Sequence, residues 1–397
     1  MTDFLVIGGG IIGISIAREL KRTYADASVE VVEKESSGGE HASGRNSGVL
    51  HAGFYYTADS LKARFTRDGN RELTEYCESR KIPLNKCGKL VVAKNETEDV
   101  MLDELMVRGR KNGVLLDEVT AEEAKEIEPR VKTYRRALFS PTTSSADPRQ
   151  VLAAMEADAK REGIRISYSV SFVSRTRDGI RVSDGVRNVG YVVNAAGLYA
   201  DRIGKEFGFS ENYTILPFKG LYLSSDEPPG AFRTNIYPVP DLRNPFLGVH
   251  FTVKADGRVK IGPTAIPALW REQYSGFENF NSGEAFEMAL RSASLLFSSG
   301  FGYSGLALSE VRKYSRRYMV KLAGELATGI EVSAFRKWAR PGIRAQLLDT
   351  RTRRLEMDFV LEGDSRSMHV LNAVSPGWTC SLPFSAHVVK AIDKKLG

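Results

Sequence analysis

Three glycines spaced Gly8-x-Gly10-x-x-Gly13, with Glu33 about twenty residues beyond, are the residues of this chain whose types and spacing most plainly do chemistry. That chemistry is the cradling of a pyrophosphate. Gly8 permits a tight turn, Gly10 lets a phosphate approach the backbone where a Cβ would block it, and Gly13 lets a helix pack closely on a sheet. A helix starting at Ile11 and Ile12 presents unpaired N–H groups and a partial positive charge to the anion. Glu33 stands where a carboxylate accepts hydrogen bonds from a ribose.

The elements needed to position these residues are present in order. Asp3-Phe4-Leu5-Val6-Ile7 reads as an apolar strand, the next stretch as a helix, and Val29-Glu30-Val31-Val32-Glu33 as a second strand. A polar loop (35–48) leads to a helix around 60–80, a strand at 88–93 and a charged helix near 96–112. Strands are expected at 165–170 and 190–197, the latter a buried parallel strand ending in small residues beneath a ligand. From 213 to 262 the pattern turns to antiparallel strands, with a hairpin at Ala255-Asp256-Gly257-Arg258, and 283–327 reads as helical.

With 397 residues the chain exceeds one ordinary core. The expected fold is α/β (α+β overall): a Rossmann-like dinucleotide-binding domain from discontinuous segments, with an inserted, mostly antiparallel substrate domain flanked by helices. The segments 1–85, 146–212 and 340–397 are assigned to the first domain, 86–145 and 213–339 to the second. No apolar run reaches the ~20 residues of a membrane span. The three cysteines, Cys77, Cys87 and Cys380, show no Cys-x-x-Cys spacing, which argues against a disulfide framework or a zinc site; no metal is expected. A strand starting at residue 3 leaves no room for a targeting segment, so the expectation is a cytoplasmic protein. The net charge of +7 fits a scattered basic surface. The basic run Arg312–Lys321 reads as a helix with a solvated face, with peripheral contact to the inner face of an anionic membrane as its alternative. No nucleic-acid module is recognisable.

Beyond these motifs, Asn194-Ala195-Ala196-Gly197 and Pro341-Gly342-Ile343-Arg344 together resemble the FAD-dependent D-amino-acid-oxidase/glycine-oxidase superfamily. Gly44-Arg45-Asn46-Ser47-Gly48-Val49-Leu50-His51, Lys86-Cys87-Gly88-Lys89-Leu90, Asn235-Ile236-Tyr237-Pro238-Val239-Pro240-Asp241 and Phe246-Leu247-Gly248-Val249-His250-Phe251-Thr252 are similar to the L-2-hydroxyglutarate dehydrogenase/oxidase branch. The C-terminal loop departs from that pattern, reading Ser375-Pro376-Gly377-Trp378-Thr379-Cys380-Ser381.

The resemblance implies non-covalent FAD and oxidation of an L-2-hydroxy acid, with hydride passing to flavin N5 while a histidine takes the hydroxyl proton. Of five histidines, His51 and His250 fall in blocks that approach one ring from different domains, and base is not distinguished from orienter. His41 and His369 lie beside flavin loops without a substrate-side placement, and His387 belongs to a C-terminal helix. Arg344 stands where the superfamily clamps a carboxylate, with Lys219, Tyr222 and Tyr237 as secondary substrate contacts. Flavin contacts beyond the glycines are Lys34, Ser43, Asn46, Ser47, Gly48, Val173 near the adenine, Ala196, Gly197, Pro376, Gly377 and Thr379. An amine or amino-acid oxidase is the rival reading. The electron acceptor stays open between quinone, oxygen and a soluble carrier.

Overall fold

The computed structural model describes residues 2–177, 179–241, 246–298 and 303–397. Its organising element is the strand Thr2–Ile7, whose apolar residues are buried at the centre of a six-stranded sheet. The order across that sheet is Val360–Gly363, Ser367–Asn372, Val189–Asn194, Thr2–Ile7, Val29–Glu33, Arg165–Tyr168, all parallel except the first, edge strand. Parallel strands buried on both faces need near-continuous apolar runs, and Phe4-Leu5-Val6-Ile7 and Tyr191-Val192-Val193 supply them. The helix Ile11–Thr23 covers one face and packs on the C-terminal helix Ser381–Leu396, joining Ile14, Ile16 and Leu20 to Phe384, Val388 and Ile392 in one core.

An eight-stranded sheet is antiparallel except where Lys89–Val92 runs parallel to Asn235–Pro238. Strand alternation sorts its side chains. Leu90, Val92, Ile236, Phe251 and Ile261 form a core with Met319, Val320 and Ala323 of the helix Arg316–Ala323. The opposite face carries Lys89, Tyr237, His250, Thr252 and Lys260. Between the two sheets, Tyr213–Gly220 pairs antiparallel with Gly342–Asp349 along eight residues. A boundary at residue 340 therefore runs through a paired sheet.

The helical stretch expected at 283–327 comprises three helices, Ser282–Ser298, Tyr303–Val311 and Arg316–Ala323, with residues 299–302 outside the described ones. The basic run Arg312–Lys321 is not one continuous helix, although Arg312, Arg317 and Lys321 are exposed as expected of a solvated face. A single 3-10 turn, Arg312–Tyr314, precedes a fresh helix that Ser315 caps. Lys313 is buried against Glu310 rather than solvated, because pairing offsets the cost of burying its charge.

Candidate active site

A cavity of about 590 Å³ opens along the carboxyl ends of Thr2–Ile7, Val29–Glu33 and Val189–Asn194, the crevice in which doubly wound sheets bind ligands. Its first wall is the glycine turn. Gly8 has φ +112°, and a Cβ there would sit 2.5 Å from the Ala195 carbonyl oxygen; a Cβ on Gly13 would overlap the Gly8 carbonyl oxygen. The helix that follows has no acidic residue in its first turn, so its positive end is uncompensated. Ser43 Oγ accepts the Ile11 N–H at 2.9 Å. Glu33 Oε2 accepts the Gly9 N–H at 2.7 Å and Oε1 the Glu35 N–H at 3.0 Å. A carboxylate offers about four acceptor sites, which leaves two for a ribose.

Most of the expected contacts converge here. Gly8, Gly10, Ile11, Ile12, Glu33, Lys34, Ser43, Asn46, Ser47, Val173, Ala196, Gly197, Pro376, Gly377 and Thr379 all line the cavity, together with His51, Tyr222 and Arg344. Asn46 organises its own loop, accepting the Gly48 N–H at 2.8 Å and donating to the Ser43 carbonyl at 2.9 Å. Thr379 ties the C-terminal loop to the His51 strand: its hydroxyl donates to the Val49 carbonyl and accepts the His51 N–H. Glu35, His41 and Glu272 gather three metal-type ligand atoms, but Lys34 Nζ bonds Glu35 and lies 2.7 Å from Glu272, so a cation is already in place. The glycine cradle, the bare helix terminus and the elongated crevice fit a bound FAD.

Other expected residues stand outside the cavity lining. Gly13 and Gly48 serve the turns that carry the walls; a Cβ on Gly48 would overlap the Ala146 carbonyl oxygen. Lys219 is buried beside Ile343, and alternation turns it away from the Phe218–Arg344 pair. Both faces of that strand are buried, so composition could not reveal which way Lys219 points. Among the remaining histidines, His41 lines the cavity with Nδ1 on Tyr274 Oη at 2.7 Å. His369 is buried between Asn194 and Ser367, and His387 packs on Phe65.

At the far end His51 lines the cavity, and directly behind it lie Tyr237 and His250. The His51 and Tyr237 rings meet edge-on at 6.4 Å, and Tyr237 stacks on His250 at 3.7 Å. Burial pushes His51 down to about 3 and holds His250 well below the usual imidazole range; Lys89 and Arg344 add to both shifts. Both rings are therefore neutral near pH 7. His250 Nδ1 lies 3.0 Å from the Gly248 carbonyl oxygen. A carbonyl only accepts, so Nδ1 carries the hydrogen and Nε2 keeps its lone pair. Arg344 lies over the Phe246 ring at 5.3 Å. Lys89 and Tyr55, also at this end, escaped sequence reasoning because a lysine opening an apolar strand reads as a strand edge.

This geometry has counterparts. The FAD dependent oxidoreductase family matches residues 3–390. The chain is 34% identical over 402 residues to the L-2-hydroxyglutarate dehydrogenase of Escherichia coli (strain K12), covering 100% of this chain and 94% of that one. The chain belongs to the FAD-dependent oxidoreductases, in the L-2-hydroxyglutarate dehydrogenase branch. The mitochondrial L-2-hydroxyglutarate dehydrogenase of Nematostella vectensis is 37% identical over 425 residues, covering 99% of this chain and 91% of its own. Among solved structures, FAD-bound L-alpha-glycerophosphate oxidase from Mycoplasma pneumoniae matches with a TM-score of 0.77 at 20% identity, over 98% of this chain and 94% of that one. Glycine oxidase from Bacillus cereus matches with 0.73 at 18%, over 100% and 96%. At such identities these two bear on the fold alone. The FAD-dependent oxidoreductase has a mixed α/β fold, and no helix among the described residues is long and apolar enough to cross a membrane.

Proposed function

We propose that this FAD-dependent oxidoreductase oxidises L-2-hydroxyglutarate to 2-oxoglutarate, with His51 as the base. The observation that carries the reading is a pair of neutral histidines linked through Tyr237, edge-on to His51 and stacked on His250, with His51 and Arg344 both lining the cofactor crevice. Bound FAD, held without a covalent link by the glycine cradle, would supply the two-electron acceptor for oxidation of the hydroxyl-bearing carbon. Arg344 clamps the carboxylate next to that carbon, its planar fork matching the two oxygens. Tyr222, buried and lining the same end, closes the site over the substrate. His51 takes the hydroxyl proton because it is unprotonated and opens into the cavity. His250 is a positioning residue that holds the Tyr237 ring against His51. Lys219 supports the strand carrying Arg344 rather than the substrate.

An amino-acid oxidase would need Arg344 equally but no base for a hydroxyl proton, so the neutral histidines favour the hydroxy acid. The segments that build the six-stranded sheet hold the cofactor, and the eight-stranded sheet supplies the substrate face. For the electron acceptor, exposed Phe286 and Leu290 on one helix and Leu308, Val311 and Tyr314 on the next two elements, beside exposed Arg312 and Arg317, support peripheral contact with an anionic membrane and a quinone. Flotation with anionic but not neutral vesicles is the expected result.

The test of the reaction is anaerobic bleaching of the flavin near 450 nm, with L- and D-2-hydroxyglutarate, L-malate and glycine offered separately. Rapid bleaching by L-2-hydroxyglutarate alone is expected. Bleaching by glycine and by no hydroxy acid would move the protein to amine oxidation.

A further inference from the structure

The functional reading leaves one buried cation unused. Lys89 has no exposed surface, and its Nζ makes no hydrogen bond among the described residues. Rings surround it: Phe54 and Tyr55 have their centroids at 4.6 Å and Tyr237 at 5.0 Å. The hydroxyls of Tyr55 and Tyr237 are buried and likewise lack a hydrogen bond of full geometry among the described residues, the Thr252 hydroxyl beside Tyr237 being unsatisfied too. Three polar groups, all able to donate, are thus orphaned in one place. Each such group is costly to bury, more so when charged, and a fold seldom keeps several together unless a ligand satisfies them.

The register explains how they meet. Lys89 pairs with Asn235, and alternation along the parallel strands sets Tyr237 on the same face of the sheet. Phe54 and Tyr55 come from the chain just after His51, in the turn that follows the cofactor loop. Ring faces shield the ammonium but bring no negative charge. Burial accordingly pulls Lys89 down to about 7, as expected of a cation waiting for an anion.

The position of this cluster relative to Arg344 gives the anion its identity. Tyr237, one of the rings around Lys89, meets the His51 ring edge-on at 6.4 Å, and His51 and Arg344 line the same cavity. A base flanked by two cations suits a substrate whose reacting carbon lies between two carboxylates. Resting on the proposed hydroxy-acid reaction, we propose that Lys89, with the Tyr55 and Tyr237 hydroxyls, binds the distal carboxylate of a dicarboxylic 2-hydroxy acid and so selects dicarboxylic over monocarboxylic substrates. Arg344 takes the carboxylate beside the hydroxyl. The ammonium and hydroxyls are then satisfied only in the complex, which makes the second carboxylate a requirement for tight binding.

The experiment uses the FAD-loaded full chain. The kcat/KM ratio for L-2-hydroxyglutarate over L-2-hydroxyvalerate, which lacks the distal carboxylate, is compared in wild type and Lys89→Met. Glutarate and butyrate are also titrated against the oxidised flavin spectrum, a binding readout that needs no turnover. Lys89→Met should collapse the substrate ratio about 100-fold, through KM for the dicarboxylate, and abolish the preference for glutarate. Tyr55→Phe and Tyr237→Phe keep the rings and delete only the hydroxyls, so they guard against a variant that misfolds. Each should weaken glutarate about 10-fold relative to butyrate. A ratio within threefold of wild type in Lys89→Met, or equal loss of glutarate and butyrate binding in all variants, overturns the assignment while the hydroxy-acid reaction stands. A wild-type flavin bleached by neither hydroxy acid sinks the functional reading instead. In that case, glutarate binding that depends on Lys89 still supports a carboxylate site here.

Discussion

His51 and His250 are the residues on which the reaction turns, and burial rather than hydrogen bonding sets their protonation. The sign of the shift matters. A depressed imidazole pKa keeps the ring an acceptor as pH falls, so His51 at about 3 stays unprotonated through the working range. kcat/KM measured from pH 5 to 8 should therefore show no acid limb near 6.5, and a limb there would remove His51 from the role of base. His51→Asn should lower the rate of anaerobic flavin reduction about 10²–10⁴-fold with the flavin still bound. His250→Asn should cost less, since it acts through Tyr237. Arg344→Met should act mainly on KM, by about 100-fold; an unchanged KM would argue against a clamp on the substrate.

The turns between strands and helices carry the strictest demands of any element. Gly13→Ala would drive its methyl into the Gly8 carbonyl oxygen, moving the helix that faces the phosphates. A loss of about 1–3 kcal/mol and of most bound FAD is expected, read by thermal melting and by the flavin-to-protein absorbance ratio. Retained flavin with unchanged melting would contradict that packing. A second element depends on a buried ion pair. Arg271 bonds the Leu198 carbonyl and reaches Asp201 at 2.7 and 2.8 Å, and both side chains are buried. This pair fixes the segment after Gly197 along the cavity. Asp201→Asn leaves the guanidinium uncompensated and should cost about 3–5 kcal/mol in urea denaturation; a loss below 1 kcal/mol would mean that water already satisfies the arginine.

For the molecule as a whole, stability should depend on pH on the acid side. Burial lowers His51 to about 3 and His369 to about 4 and holds His250 well below its usual range, whereas the unfolded chain protonates near 6.5. Below that value the unfolded state binds more protons, so the histidine contribution is full above about pH 6.5 and is lost as pH falls toward the folded values. Asp201, held down by Arg271 once its own burial is overcome, acts in the same direction at lower pH. Burial lowers Lys89 to about 7 and Lys62 and Lys260 to about 8, so above pH 7 the unfolded chain still binds more protons. Melting temperature should fall steadily from pH 7 to 4.5 and go on rising above 7. A flat or rising profile on acidification would show the histidines to be solvated.

What the sequence determined by itself was whatever backbone sterics or short-range spacing decide. Gly8, Gly10 and Gly13 announced their site because no other residue fits those turns, and the hairpin at 254–258 closes as its residues demand. Arg344 and His51 were legible from their motifs, and both line the crevice. Tertiary structure alone decided the rest. Whether residue 218 or 219 turns toward Arg344 depends on strand parity across a long-range pairing, which is why the sequence could not show that Lys219 stands outside the cavity lining. The basic run at 312–321 is split where Ser315 caps a fresh helix, and the burial of the Lys313–Glu310 pair depends on neighbours that the local sequence does not show. Lys89 looked like the first residue of an apolar strand. It became an unpaired cation only because strands far apart in the chain bring Tyr55, Tyr237 and two histidines around it, and burial is a property of the assembled neighbours.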